Sequence, residues 1–323
     1  MYLYSNIIGT FVFNEHFKLR EKILFSKEES LRHLKLIEEG KILDSERRFL
    51  KKFKNIENLR ETKDNKKILR ADKELRYYKD KFYEKNIYIT KHQIKASIQD
   101  DVLIIQAVSA YDELTKIINI LVKRIREWYC YYLPEISESI EDNETFIRVI
   151  LGKSKNELVK ESKISFSMGA DLKDKDKEAL FTLVKEINSL IIIRNTHEKY
   201  IEEIMQRACP NMTAITGALI AGKLISIAGS LRNLVMFPAS TIQLLGAEKA
   251  LFRHMRNKRS LPPKYGVLSQ HPLIQKAKKK HHGKIARLLA DKISIAVKID
   301  YFKGKYRGDE LNKEIQGKIN ELK

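Results

Sequence analysis

The spacing of apolar residues along this chain changes several times, and each change predicts a different element. Asn6-Ile7-Ile8-Gly9-Thr10-Phe11-Val12-Phe13 and Lys22-Ile23-Leu24-Phe25 are β-branched and aromatic runs of strand length. Ser26 followed by Glu29 is a capping-box pair, predicting a helix that carries Leu31, Leu34 and Ile37 and that Gly40 can close. The segment Arg47–Lys85 is helix-prone and charged. Residues 1–91 thus read as a small α+β domain. Thr90 with Gln93 is a second capping-box pair and predicts a new helix start.

A different period follows. Ile104, Ala107, Tyr111, Leu114, Ile118, Leu121, Ile125, Trp128 and Tyr132 are separated by alternating steps of three and four, the a/d seam of a coiled coil, with Pro134 as its stop. Leu180, Val184, Ile187, Ile191, Ile201 and Met205 make a second periodic run ending at Pro210, with Arg194 and Glu198 on the same seam. Two long helices joined through an insert predict an antiparallel hairpin over residues 92–205. Its seam can close within one chain, but Ile117, Ile120, Ile192 and Ile193 lie off it and leave a face for a second copy. The reading therefore favours a homodimer, with Ile104, Tyr111, Leu114, Ile118, Leu121, Ile125, Leu180, Val184, Ile187 and Ile191 as dimerisation residues.

From Met212 the small residues Ala214, Gly217, Ala218, Ala221, Gly222, Ala228 and Gly229 recur at near-helical spacing, which lets helix backbones approach closely. Residues 206–323 read as a compact helical domain with one β-leaning stretch, Ser240–Leu245, and a breaker at Leu261-Pro262-Pro263. The fold class is mainly α. Met212–Leu231 is the only membrane-like stretch, and Lys223 at its midpoint argues for a buried helix instead. No membrane association is expected, and the N-terminus lacks the pattern of a secretion signal.

Charge adds the clue to partners. The 323 residues carry 62 Lys+Arg against 42 Asp+Glu, a net of +20. In Arg47–Lys85 the signs are interspersed, as on a solvated helical face. Between Glu248 and Arg287, however, twelve Lys/Arg face the single acid Glu248, a one-sided excess that points to nucleic acid. Ala250, Leu251 and Phe252 sit within it; they can be core, or they can stack on bases while the cations hold the backbone.

Catalytic patterns do not emerge. Gly217–Lys223 spells most of a P-loop, but Leu224 stands where the magnesium-binding Ser/Thr is needed and no strand precedes it. Asp100 and Asp101 are adjacent, so on a helix they diverge. His281-His282 lie in a lysine run, better placed for phosphate than for metal. Cys130 and Cys209 have no CxxC or ligand cluster, which argues against zinc or a disulfide framework. No cofactor and no enzymatic activity are expected.

Several segments resemble the Nop family of box C/D ribonucleoprotein scaffold proteins. Gly246-Ala247-Glu248-Lys249-Ala250-Leu251-Phe252-Arg253-His254 is similar to the family signature. So are Arg126-Glu127-Trp128-Tyr129 with Leu133-Pro134-Glu135, Glu141-Asp142-Asn143-Glu144, Ser167-Met168-Gly169-Ala170-Asp171-Leu172, Cys209-Pro210-Asn211 and Met236-Phe237-Pro238-Ala239-Ser240-Thr241. The likeness spans about 93–323 and, more loosely, 1–91. A stop at Lys323 without a long Lys/Glu tail looks more like the archaeal branch, implying a cytoplasmic protein; a eukaryotic one would be nucleolar.

The resemblance implies a non-enzymatic scaffold for guide-directed RNA 2′-O-methylation. The N-terminal domain would hold the methyltransferase fibrillarin, and the coiled coil would form a homodimer. The C-terminal Nop domain would recognise a kink-turn in the guide RNA together with its small kink-turn-binding protein. RNA-binding residues carried over from the resemblance or inferred from charge are Glu248, Lys249, Ala250, Leu251, Phe252, Arg253, Arg256, Lys264, Lys276, Lys278, Lys279, Lys280 and His281. The alternatives are a spliceosomal-type assembly scaffold with the same C-terminal domain, or a generic basic coiled-coil nucleic-acid-binding protein.

Overall fold

The computed structural model describes residues 1–321 apart from 54, 63 and 165. Lys54 and Lys63 of the basic segment 47–85, and residues 322–323 of the expected C-terminal domain, lie outside the described residues. The chain divides into two compact units, Met1–Ile98 and Gln99–Lys323.

In the first unit β1 (Tyr2–Ser5), β2 (Gly9–Phe13), β3 (Leu19–Leu24) and β4 (Glu57–Asn58) form one sheet in the order β3-β2-β1-β4. β4 runs parallel to β1, and the other pairs are antiparallel. Five helices follow the chain: α1 (Lys27–Glu38), α2 (Asp44–Lys52), α3 (Leu59–Thr62), α4 (Asn65–Glu74) and α5 (Lys79–Ser97). Alternation along a strand sends successive side chains to opposite faces. Phe11 and Phe13 accordingly pack with Leu59, Ala71, Leu75 and Tyr78, whereas Val12 and Leu3 pack with Phe49 of α2. Covering both faces makes β2 buried at every position.

Both expected strands are present, but residues 6–8 turn instead of extending: Asn6 donates its N–H to Gly9 O and accepts from the Ile8 N–H through Oδ1. The box at Ser26 and Glu29 closes in both directions, at 3.1 and 2.7 Å, and Gly40 ends the region with φ +70°. The second box does not form. α5 passes straight through Thr90 because it is already anchored upstream, with Lys85 donating to the carbonyls of Ile8 and Phe25 and Ile89 buried. A capping pair acts only where the backbone leaves the helix.

The second unit is helical throughout. Its elements are α6 (Asp100–Tyr129), α7 (Pro134–Ser139), α8 (Asn143–Gly152), α9 (Lys155–Glu161), α10 (Asp174–Ala208), α11 (Pro210–Thr216), α12 (Ala218–Ala228), α13 (Leu231–Met236), α14 (Ala239–Leu244), α15 (Glu248–Arg256), α16 (Pro272–Gln275), α17 (His282–Tyr301) and α18 (Gly308–Asn320). α6 and α10 pack antiparallel, with Asp100 at the start of one bonded to Arg207 near the end of the other at 2.7 Å. α6 stops at Tyr129, ahead of Pro134, which opens α7; α10 ends at Ala208 as expected beside Pro210, which also opens α11 at the N1 position that tolerates a missing N–H.

At the closed end of this pair the segments that carry the family resemblance clamp one another. Arg126 donates to Asn143 Oδ1, Ser137 O and Glu141 O, with its guanidinium 4.4 Å from the centre of the Phe146 ring. Glu135 accepts from the Met168 N–H at 2.8 Å and the Ser167 hydroxyl at 3.0 Å. Gly169 is required here, since a Cβ would lie 2.0 Å from Tyr132 O.

The open end is buried in the C-terminal core. Ile104, Ala107, Val108, Ile201, Ile204 and Met205 share one cluster with Leu224, Ile242, Leu289 and Ile293. The stretch expected to be β-leaning is α14: Pro238 O accepts the N–H groups of Thr241 and Ile242, starting a helical turn that buries Ile242. The apolar run at 212–231 breaks at Gly217 (φ +77°) into α11 and α12, which are bent by 115°. No single helix among the described residues is long and apolar enough to cross a membrane. Gly217–Lys223 is helical after its first residue, and Lys223 pairs with Asp112 at 3.2 Å.

Asp300, near the end of α17, is buried and accepts from the Asn211 N–H, Asn211 Nδ2 and the Met212 N–H at 2.7–3.1 Å. Asp300→Ala leaves those donors without a partner and is expected to lower stability by about 2–3 kcal/mol. Urea unfolding of the full chain followed by circular dichroism checks this.

Candidate nucleic-acid interface

The first part of the basic segment 248–287, up to Lys264, is an excursion from the C-terminal core closed at a narrow neck; past the neck, Leu268, Ile274, Ile285 and Ala286 belong to that core. Gly266 N–H donates to Gln243 O at 3.0 Å, Val267 N–H to Leu245 O at 2.8 Å, and Gln243 Nε2 to Lys264 O at 2.7 Å. The two segments of the neck approach so closely that a Cβ on Gly266 would sit 1.8 Å from Leu245 O. Gly246, at φ +86°, turns the chain into α15, and its N–H is held by the Glu248 carboxylate at 2.6 Å. His254 ties the far end of α15 to Ser260 O.

No residue of α15 is buried. Ala250 and Leu251 are half-buried, whereas Phe252 is 58% exposed and Met255 and Leu261 are also open to solvent. Lys249, Phe252, Arg253, Arg256 and Asn257 line one shallow groove. Phe252 is therefore not core; it stands among cations on the outside. Glu248, placed with the RNA-binding residues by the sequence, has its carboxylate turned to the Gly246 N–H.

A second group of cations gathers where α17 begins. The Lys264 stem lies beside Gly283, and Lys276, Lys278, Lys279 and Lys280 are exposed in the turn ahead of the helix. That turn is fastened by His282, whose Nε2 lies 2.9 Å from Ala277 O and whose Nδ1 lies 3.2 Å from the Tyr265 hydroxyl. His281 is only partly accessible, and its Nδ1 is buried without a partner. Partial burial and then the charges of Lys280, Lys284 and Lys278 lower its pKa, favouring a neutral ring.

None of the twelve cations between 248 and 287 forms an ion pair among the described residues, although lysines and arginines elsewhere pair repeatedly. Unpaired like charges at this density repel, and a polyanion relieves the repulsion. Among the described residues no group of three His, Cys, Asp or Glu is arranged to hold a metal ion.

The residues expected to make the dimer lie elsewhere and are divided. Ile104, Ile118, Ile125, Leu180, Val184, Ile187 and Ile191 are buried within the chain's own second unit, and Tyr111, Leu114 and Leu121 are half-buried. Ile117, Ile120, Ile192 and Ile193 are exposed on α6 and α10. The outward face is thus the off-seam one.

His271 fixes the base of the lysine turn. It is buried, its Nε2 lies 3.0 Å from Ile215 O, and its Nδ1 accepts from the Leu273 N–H, a role open only to the neutral ring. Burial lowers its pKa below the ordinary 6.5. Its contribution is therefore complete above that pH and is lost as pH falls toward the folded-state value. The urea midpoint is expected to drop between pH 7 and pH 5, and to drop less in His271→Asn.

Comparison with known proteins places this geometry. A family model described as "Nop: snoRNA binding domain, fibrillarin" matches residues 110–321, and one described as "Archaeal Nop5/56-rel, N-terminal domain" matches residues 1–85. An uncharacterised NOP5 family protein of Methanocaldococcus jannaschii is 38% identical over 79% of this chain and 67% of its own length. Nucleolar protein 58 of Schizosaccharomyces pombe is 36% identical over 66% of this chain and 45% of its own, so the chain spans less than half of that relative. A chain of a solved fibrillarin/Nop5p complex is similar at 26% identity, covering 96% of this chain and 99% of that one, with a TM-score of 0.45. The neck, the signature helix α15 and the clamped closed end of the helix pair all fall within the matched 110–321, and the chain belongs to the Nop family.

Proposed function

We propose that the chain is a non-enzymatic core scaffold of a box C/D guide ribonucleoprotein that directs RNA 2′-O-methylation. The observation that carries this reading is the segment 248–287, whose twelve cations form no ion pair among the described residues and of which Lys249, Arg253 and Arg256 line one groove with the exposed Phe252 on a braced helix. Phosphate contacts supply affinity without sequence preference, and an exposed aromatic ring stacks on bases. A braced helix bearing both reads the shape of a folded RNA end. In this reading the kink-turn-binding protein completes the site, and the first unit, residues 1–98, receives fibrillarin. The particle is cytoplasmic in an archaeal cell and nucleolar in a eukaryotic one.

A reconstitution tests the assignment. Guide RNA, kink-turn-binding protein, fibrillarin and methyl donor are expected to methylate a matched target only when this chain is added, and the chain alone is expected to transfer nothing. Methylation that is equally fast without it overturns the proposal. Phe252→Ala is expected to weaken assembly on the guide RNA about tenfold. Its melting temperature should stay unchanged, because the ring is exposed; unfolding would mean that the ring is part of the core.

The second copy in this reading docks on Ile117, Ile120, Ile192 and Ile193. Replacing Ile120 and Ile192 with Glu is expected to convert a dimer mass in light scattering to a monomer mass with unchanged helix content. Ile125→Glu should instead destabilise the fold by several kcal/mol, because it puts an unpaired charge into a fully buried position.

A further inference from the structure

The opposite end of α17 carries a second, separate constellation. Residues 298–307 hold three aromatics, Tyr301, Phe302 and Tyr306, together with Lys298, Lys303, Lys305 and Arg307. A 20-residue helix is roughly 30 Å long, which separates this turn from the lysines at the α17 N-terminus. Phe302 is 73% exposed, and Tyr301 and Tyr306 are exposed too.

The turn is held rigidly with these side chains outward. Gly304 N–H donates to Ile299 O at 2.8 Å and Lys303 N–H to Asp300 O at 3.2 Å, the two bonds of a Schellman ending. Arg307 N–H donates to Asn211 Oδ1 at 2.6 Å, and the Tyr306 hydroxyl donates to Asp309 at 3.0 Å. The Tyr301 and Phe302 rings meet edge to face at 5.1 Å.

Two features single out the surface as functional. Lys303 occupies the left-handed position of the Schellman ending at φ +52°, where glycine is favoured and a side chain is strained. Lys298, Lys303 and Lys305 have no carboxylate partner among the described residues, while Arg307 is paired with Glu310 and Asp300 is buried. Lysine is depleted at protein–protein interfaces, but lysines beside exposed rings are the usual surface for unpaired nucleotides.

We propose that the α17–α18 turn is a second RNA contact, taking one or two unpaired nucleotides whose bases stack on Phe302 and Tyr306 while Lys298, Lys303 and Lys305 neutralise their phosphates. The proposal rests on the scaffold reading only in its choice of RNA. It would let one protein hold a folded RNA end at α15 and a single-stranded segment at the far end of α17.

The test uses the full chain, a fluorescent 12-nucleotide oligouridine and a duplex RNA of the same length. Wild type is expected to prefer the oligouridine. Phe302→Ala should weaken that binding about tenfold with an unchanged melting temperature, and Phe302→Tyr should keep it. Phe166→Ala, an exposed ring between α9 and α10 that belongs to neither site, should stay within about twofold of wild type. Lys303→Gly is expected to raise the melting temperature yet weaken binding, which a purely structural lysine would not do. Oligouridine binding that is indifferent to Phe302→Ala overturns the proposal, as does binding no tighter than to duplex. Loss of fibrillarin or kink-turn-protein capture with oligouridine binding intact in Phe302→Ala assigns the turn to a protein and overturns it equally. Assembly on kinked guide RNA is scored separately, so failure of the scaffold reading is distinguishable from failure of this contact.

Discussion

α12 can lie against α6 and α10 because residue 222 has no side chain. A Cβ on Gly222 would come within 2.8 Å of Val108 Cγ2, with Ile104 and Ile201 packed beyond it. That approach merges the open end of the long helix pair with the C-terminal core. The closed end keeps its own core around Ile118, Ile125, Tyr129, Phe146 and Leu180. Between the two, Arg194 interrupts the apolar seam and pairs with Glu144 of α8 at 2.7 Å. This hydrogen bond raises the guanidinium pKa further above its already high ordinary value. The helix pair thus works as a beam with a core at each end.

A beam matters because α15 has no fully buried residue, only the half-buried Ala250 and Leu251 on its apolar side. Its position therefore comes largely from the neck at Leu245 and Gly266 and from the core that holds the neck. Repulsion among unpaired cations favours spreading, and the neck hydrogen bonds, Glu248, His254 and His282 oppose it locally. Such preorganisation reduces the ordering cost of binding a folded RNA. Shape then becomes a readable property, since a flexible basic tail would wrap any polyanion.

Much of this was legible in the residues alone. The three-four steps from Ile104 to Tyr132 mark the helix pair because a seam must repeat with the helical period. Val108, Val122 and Tyr129, one position after seam residues, are also buried, because α12 and α8 lie beside the pair; periodicity of one helix carries no trace of a third. Thr90 and Gln93 misled because capping spacing is local, whereas Lys85 and Ile89 had already fixed α5. Ser240–Leu245 has strand-like composition, but Pro238 starts a helical turn there and Ile242 finds its burial in a helical core. β4 is two residues long and pairs in parallel with β1 across the sequence, a match no local pattern encodes. The charge of 248–287 was plain, yet not that Phe252 would face out or that Glu248 would hold the turn. The aromatic and basic turn at 298–307 lay beyond that run, and only exposure revealed it.

The central claim is composite recognition of a folded RNA by a braced basic surface. It is tested most directly by measuring the affinity of the full chain for a box C/D kink-turn RNA at about 0.3 M salt, with and without the kink-turn-binding protein. A surface that binds through phosphates alone loses orders of magnitude in affinity as salt rises. The account predicts tight binding to the preformed RNA–protein complex and weak binding to the bare RNA. Equal, salt-sensitive binding to both, and to an unrelated duplex, would contradict it.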